Sequence, residues 1–107
     1  MKAIILLNGE PYRGEISADG ARVYCCDGAY DWAKGRVKID ENLGDYDSLS
    51  YLPEPRPAEI YPSEKNSTDG EIALLRAIAA GAESARIIFS VICIFYTPLV
   101  IRACGRK

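Results

Sequence analysis

The sequence predicts an α/β fold: a doubly wound, mainly parallel sheet with flanking helices. Three observations carry that expectation. Ala3 to Leu7 is an unbroken apolar run, the pattern of a strand buried on both faces. Apolar strand-like runs then alternate with helical segments along most of the chain. Acidic residues fall where those runs end, and ligands of open α/β sheets bind at the carboxyl ends of the strands.

Taken in order, Ala3–Leu7 is the first strand and Asn8-Gly9-Glu10-Pro11 turns it. Arg22–Cys26 is a short second strand that stops at Asp27-Gly28, and Ala29–Lys34 reads as a short helix closed by Gly35. Ile39–Gly44 is a weak strand that delivers Asp45 to its carboxyl end. Pro53, Pro55 and Pro57 break regular structure, and Ala58–Tyr61 reads as a further strand. The clearest element follows. Thr68 and Glu71 have capping-box spacing, and Ile72, Leu75, Ile78 and Ala79 recur at helical intervals up to Gly81, which predicts a helix over 69–80 with that stripe buried. Ala85–Phe89 resumes a strand.

At 107 residues the chain has enough length for one core. Thirteen basic residues against fifteen acidic ones leave no electrostatic footprint for nucleic acid. No histidine is present, so any proton transfer or metal binding must rest on carboxylates, lysine or metal-bound groups. Cys25 and Cys26 are adjacent and would point to opposite faces of a strand, while Cys93 and Cys104 stand apart. With no Cys-x-x-Cys and no histidine this is the pattern of buried reduced thiols in a cytoplasmic protein, not of a zinc site. The apolar start is too short for a signal-peptide core.

Two acidic stretches stand out, Gly44-Asp45-Tyr46-Asp47-Ser48 and Tyr61 to Glu71. The first sets two carboxylates two residues apart at a strand end and follows them with a hydroxyl. The second sets Asp69 in the first turn of a helix beside Lys65 and Thr68. Such carboxylates can converge on one Mg²⁺, a hard cation that takes oxygen ligands and shares its shell with phosphate. The helix start favours an anion at the same place. Taken singly, Asp27-Gly28 is a turn, Asp45 and Asp47 are turn or cap residues, and Asp69 complements a helix dipole. Taken jointly, acidic positions on one rim form a metal-phosphate site. Familiar phosphate loops are missing: Gly9 and Gly14 have Walker spacing but lead into Glu15-Ile16, and no G-x-G-x-x-G occurs.

Four blocks, Leu7-Asn8-Gly9-Glu10, Cys26-Asp27-Gly28-Ala29, Gly44 to Leu49 and Lys65 to Leu74, in this order and spacing, resemble thiamine pyrophosphokinase. The resemblance covers residues 1–89 and implies a catalytic domain that transfers pyrophosphate from ATP to thiamine, giving thiamine diphosphate and AMP. It implies that Asp45, Asp47 and Asp69 ligand Mg²⁺ and carry the catalysis. Asp27, Ser48, Lys65 and Thr68 would contact nucleotide or substrate, and a homodimer is expected for the full-length family. A lone D-x-D also occurs in haloacid-dehalogenase-like phosphatases, so a phosphatase or other phosphotransferase is the alternative of a different class.

Residues 90–107 depart from the family. A Gly-Ala-x-Gly-Gly-Arg-x-Asp-His block is expected after the strand at 85–89, and the sequence reads Ser90-Val91-Ile92-Cys93-Ile94-Phe95-Tyr96 instead. This divergent apolar tail looks like a truncated or frameshifted product. It implies impaired activity, or a non-catalytic remnant that still binds Mg-nucleotide. Residues 87–101 interrupted by Pro98 fall short of the roughly 20 needed to span a membrane, so the tail reads as an added buried strand.

Overall fold

Continuous apolar runs sit in the middle of a sheet, because only there can both faces of a strand be covered. The computed structural model of this protein describes residues 1–12, 14, 16–44, 69–89 and 92–103. Its elements are β1 (Lys2–Leu6), β2 (Arg22–Cys26), a 3₁₀ turn (Asp27–Ala29) running into the short α1 (Tyr30–Ala33), β3 (Glu41–Leu43), α2 (Asp69–Ala79), β4 (Ser84–Phe89), β5 (Ile92–Tyr96) and β6 (Ile101–Ala103). The six strands form one mixed sheet in the order β3-β2-β1-β4-β5-β6. β3, β2, β1 and β4 are mutually parallel, while β5 and β6 are added antiparallel. The expected strand at 58–61 lies outside the described residues.

The period-two alternation of strands divides the core in two. Ala3, Ile5, Tyr24, Cys26 and Leu43 face one side with Ala73 and Ala77 of α2. Ile4, Leu6, Val23 and Cys25 face the other with Ala29 and Ala33 beside α1. Cys25 and Cys26 thus point to opposite faces as expected, both as buried free thiols. Cys93 departs from the all-reduced expectation, being disulfide-bonded.

α2 forms where the capping-box spacing and helical periodicity place it, but its buried stripe differs from the expected one. Ala73 and Ala77 are fully buried and Leu74 packs beside them, whereas Leu75 is 58% exposed and Ile78 42%. The reason is distance. Small residues let the helix backbone settle close to β1 and β2, and the larger apolar residues, displaced by one position in the 3.6 period, turn outward. The helix ends in a Schellman motif: Ala82 N donates to Ala77 O and Gly81 N to Ile78 O, with Gly81 at φ +105°.

The tail continues the sheet. Phe89 pairs with Ile92 in the antiparallel β4–β5 ladder, and a reversal at Thr97–Val100 leads to β6. Register places Ile87, Phe89, Ile92, Ile94, Tyr96 and Ile101 on the same face as α2. The expected burial of this added strand is only half met, because α2 packs on β1 and β2 and leaves β5 half-exposed. No helix among the described residues is long and apolar enough to cross a membrane.

Candidate functional site at the carboxyl edge of the parallel strands

Parallel pairing brings the ends of β1, β2 and β3 to one edge of the sheet. Asn8 follows β1, Asp27 follows β2, and Gly44 follows β3 and leads into Asp45. Gly44 is buried and sits at φ +133°, a conformation that strains any residue with a side chain, so the turn into the acidic segment requires glycine here. Asp27 itself adopts φ +50°, a left-handed conformation that aspartate tolerates better than most residues.

α2 starts at this same edge. A Cβ on Gly70 would fall 2.7 Å from Leu7 Cδ2, so the first turn of α2 lies against the residue that directly follows β1. The helix then runs antiparallel to the strands. Its last residue, Ala79, and Ala80 just beyond it line a cleft with Met1 and Arg22 at the opposite edge. Asp69, the first residue of α2, therefore belongs to the edge that carries Asn8, Asp27 and Gly44. The helix is held in that direction by Arg76, which donates to Glu41 on β3, a carboxylate also 3.4 Å from Arg22 Nη2.

Of the sequence-predicted residues, Asp27 and Asp69 are thus brought to one rim, while Asp45, Asp47, Ser48, Lys65 and Thr68 lie outside the described residues. Among the described residues no cluster of three metal-ligating side chains occurs. The Asp27 charge leaves a trace on its neighbour: burial first, and then the Asp27 carboxylate, push the Cys25 thiol up to about 12. That thiol is protonated at neutral pH and is not a nucleophile.

A cleft of about 480 Å³ opens on this edge, lined by Asn8, Gly9, Pro11, Gly28, Asp31 and Trp32. Sequence reasoning passed over Asp31 and Trp32. The available signal was an acidic residue followed by the chain's one tryptophan within six residues of a strand end. Two other clefts, of about 240 and 450 Å³, lie at the amino edge, beside Lys2 and Ser84 in one case and Met1 and Arg22 in the other. The smaller is the better enclosed, but the carboxyl edge is where a parallel sheet exposes strand-end loops and helix N-termini for binding.

No protein-family model, curated protein or solved structure matches this chain.

Proposed function

We propose that residues 1–89 form a doubly wound catalytic domain of the thiamine pyrophosphokinase kind, which binds ATP with Mg²⁺ through Asp45, Asp47 and Asp69. The observation that carries this reading is the convergence of Asn8, Asp27, the turn before Asp45 and the start of α2 on one edge of the sheet. The four resembling blocks supply those same positions. The donor set is all carboxylate, which suits a hard cation that bridges protein and phosphate. Bound there, Mg²⁺ would neutralise charge on the transferring phosphoryl groups, the main catalytic requirement of this chemistry. Asp27, Ser48, Lys65 and Thr68 would position nucleotide and thiamine. The reading includes a cytoplasmic protein that binds neither nucleic acid nor membrane, with the homodimer belonging to the full-length family.

A second reading, binding without turnover, is favoured by the end of β4. In the resembled family an arginine-bearing block follows this strand, whereas here Phe89 pairs with Ile92 and both side chains are exposed apolar groups. An acceptor hydroxyl held loosely forfeits part of an effective-molarity advantage worth about 7 to 11 kcal/mol. We therefore infer Mg-dependent ATP binding with little pyrophosphoryl transfer.

Calorimetric titration of ATP with and without Mg²⁺, paired with detection of AMP formed with and without thiamine, tests both readings. Mg-dependent binding with thiamine-dependent AMP below about 1 per second fits remnant binding; faster turnover establishes the full enzyme. Absence of Mg-dependent binding sinks both. Phosphate release from a simple phosphomonoester would assign the D-x-D pair to a phosphatase instead.

A further inference from the structure

We propose that Cys93 and Cys104 form a reversible cross-strand disulfide that staples the edge strand β6 to the sheet, so that a low-molecular-weight disulfide closes this edge and a thiol reductant releases it. The proposal is independent of the nucleotide site. The chain has four cysteines. Cys25 and Cys26 are free and Cys93 is disulfide-bonded, which leaves Cys104 as its partner. Strand register points to the same pair. Ile94 lies opposite Ala103, Phe95 opposite Arg102 and Tyr96 opposite Ile101, and one further step along that ladder sets position 104 opposite Cys93. Residues directly opposed in an antiparallel pair have Cα atoms about 4.5 to 5.5 Å apart, a span that a disulfide bridges without moving the backbone.

The bond secures a strand with little else to hold it. β6 is three residues long and lies at the end of the sheet, beside β5. Its first residue, Ile101, is 70% exposed, and Leu99 and Val100 before it are exposed as well. The turn into β6 is closed by local bonds, Thr97 N to Val100 O at 2.8 Å and Val100 N to Thr97 Oγ1 at 3.0 Å. A short hairpin without a buried face is marginal in water, so a covalent link at its open end decides whether β6 stays paired. Closing residues 93–104 into a loop removes conformational freedom from the detached strand and favours the paired one.

Position makes the bond exchangeable. Cys93 is half-buried near the start of β5, opposite Ile88, where a small thiol reaches it. The other thiols take no part: Cys25 and Cys26 are 0% and 1% exposed and lie in the cores on opposite faces of the sheet. One exchangeable pair beside two inert thiols gives a two-state element, and in a reducing compartment the disulfides that do form are typically transient or redox-sensing. On closure one cysteine thiolate displaces a thiolate from the small disulfide, and the second cysteine then displaces the other from the mixed disulfide. Two S–H bonds are lost and one S–S bond forms in the protein, while two electrons and two protons convert the small disulfide to two thiols.

The test follows β6 in the intact protein. It is equilibrated with oxidised glutathione, mapped by proteolysis for the Cys93–Cys104 cross-link, reduced with dithiothreitol and reoxidised, with amide exchange measured at each stage. Thr97 and Val100 share both backbone bonds, so alternation along the ladder makes Phe95 and Arg102 the next hydrogen-bonded pair, and their amides report the pairing of β6. Reduction should speed exchange at these two amides by about tenfold or more, leave Ile5 at the sheet centre unchanged, and be undone by oxidised glutathione. Cys104→Ser in oxidised glutathione should match the reduced parent. Failure to form the cross-link, a cross-link through Cys25 or Cys26, a bond that dithiothreitol cannot open in the folded protein, or exchange at Phe95 and Arg102 indifferent to reduction overturns the proposal. So does equal acceleration at Ile5, which would make the bond a support of the whole fold.

Discussion

Arg76 on α2 donates from Nε to Oε1 of Glu41 on β3, tying the helix that begins at Asp69 to the strand that leads into Asp45. Glu41 is 17% exposed in its side chain and Arg76 35%, and Arg22 lies against the second carboxylate oxygen. Partial exposure keeps such a pair well below the strength of a buried one. Its position matters more than its energy, because it fixes the direction of α2 across the sheet and hence which edge receives the helix start.

Replacing either partner therefore has a modest cost and a measurable coupling. Arg76→Ala should lower unfolding free energy by about 1 kcal/mol in urea. In a double-mutant cycle with Glu41→Ala, the coupling should reach about 0.5 kcal/mol or more. Additive effects of the two substitutions would show that the residues do not interact in solution.

The α2 stripe makes a prediction opposite to the one its periodicity invites. Leu75→Ala removes an outward side chain and should change stability by no more than about 0.5 kcal/mol. Ala77→Leu forces three additional heavy atoms into a filled contact with the sheet and should cost about 1 to 3 kcal/mol. Thermal or urea unfolding of the two variants ranks them. A larger loss for Leu75→Ala would mean that the helix is rotated about its axis.

Cys25 predicts the alkaline limb of the stability curve. Its folded pKa, about 12, lies above the ordinary value of 9.0 because burial disfavours the thiolate and Asp27 adds like charge. Between those values the unfolded chain has lost the proton and the folded chain retains it. Stability contributed by this group is thus present below pH about 9 and falls as pH rises toward 12, by at most about 1.4 kcal/mol per unit. Cys25→Ala should flatten that part of the curve, whatever its effect at neutral pH. An unchanged slope in the variant would show that the thiol titrates normally in the folded protein.

The parallel half of the sheet was legible because its cause is local. Ala3–Leu7 and Arg22–Cys26 are apolar on both parities, and residues of that kind fit only an inner strand. The end of α2 was legible for the same reason, Gly81 being the residue a Schellman cap prefers. What the sequence concealed was relational. Which side of α2 faces the sheet depends on how closely two backbones approach, and alanine, the residue that permits the approach, contributes almost nothing to a hydrophobic stripe. The fate of Ile92–Tyr96 was hidden likewise, since an apolar run carries no mark of parallel or antiparallel pairing. At the candidate rim, the shared edge of Asp27 and Asp69 was legible from their places at element ends. The place of Trp32 at a cleft was not legible, because an aromatic on a four-residue helix reads as packing until the cleft is seen.

The acidic rim predicts a separation between binding and folding. β3 ends at Leu43, and Gly44, at φ +133°, lies at the edge where Asp27 and the first turn of α2 are also found. In the proposed site a carboxylate at 45 contributes charge to Mg²⁺ and contributes no apolar packing. Asp45→Asn keeps the size of the side chain and removes the charge, so its cost should fall on the metal. Affinity for Mg·ATP should drop at least tenfold, equivalent to about 1.4 kcal/mol, while the thermal midpoint stays within about 2 °C of the parent, the shift of a small stability change. Gly44→Ala should do the converse, straining a buried left-handed turn and lowering the midpoint by several degrees. Calorimetric titration and thermal melts of both variants separate the two effects, and equal Mg·ATP affinity in Asp45→Asn and the parent would remove Asp45 from the site.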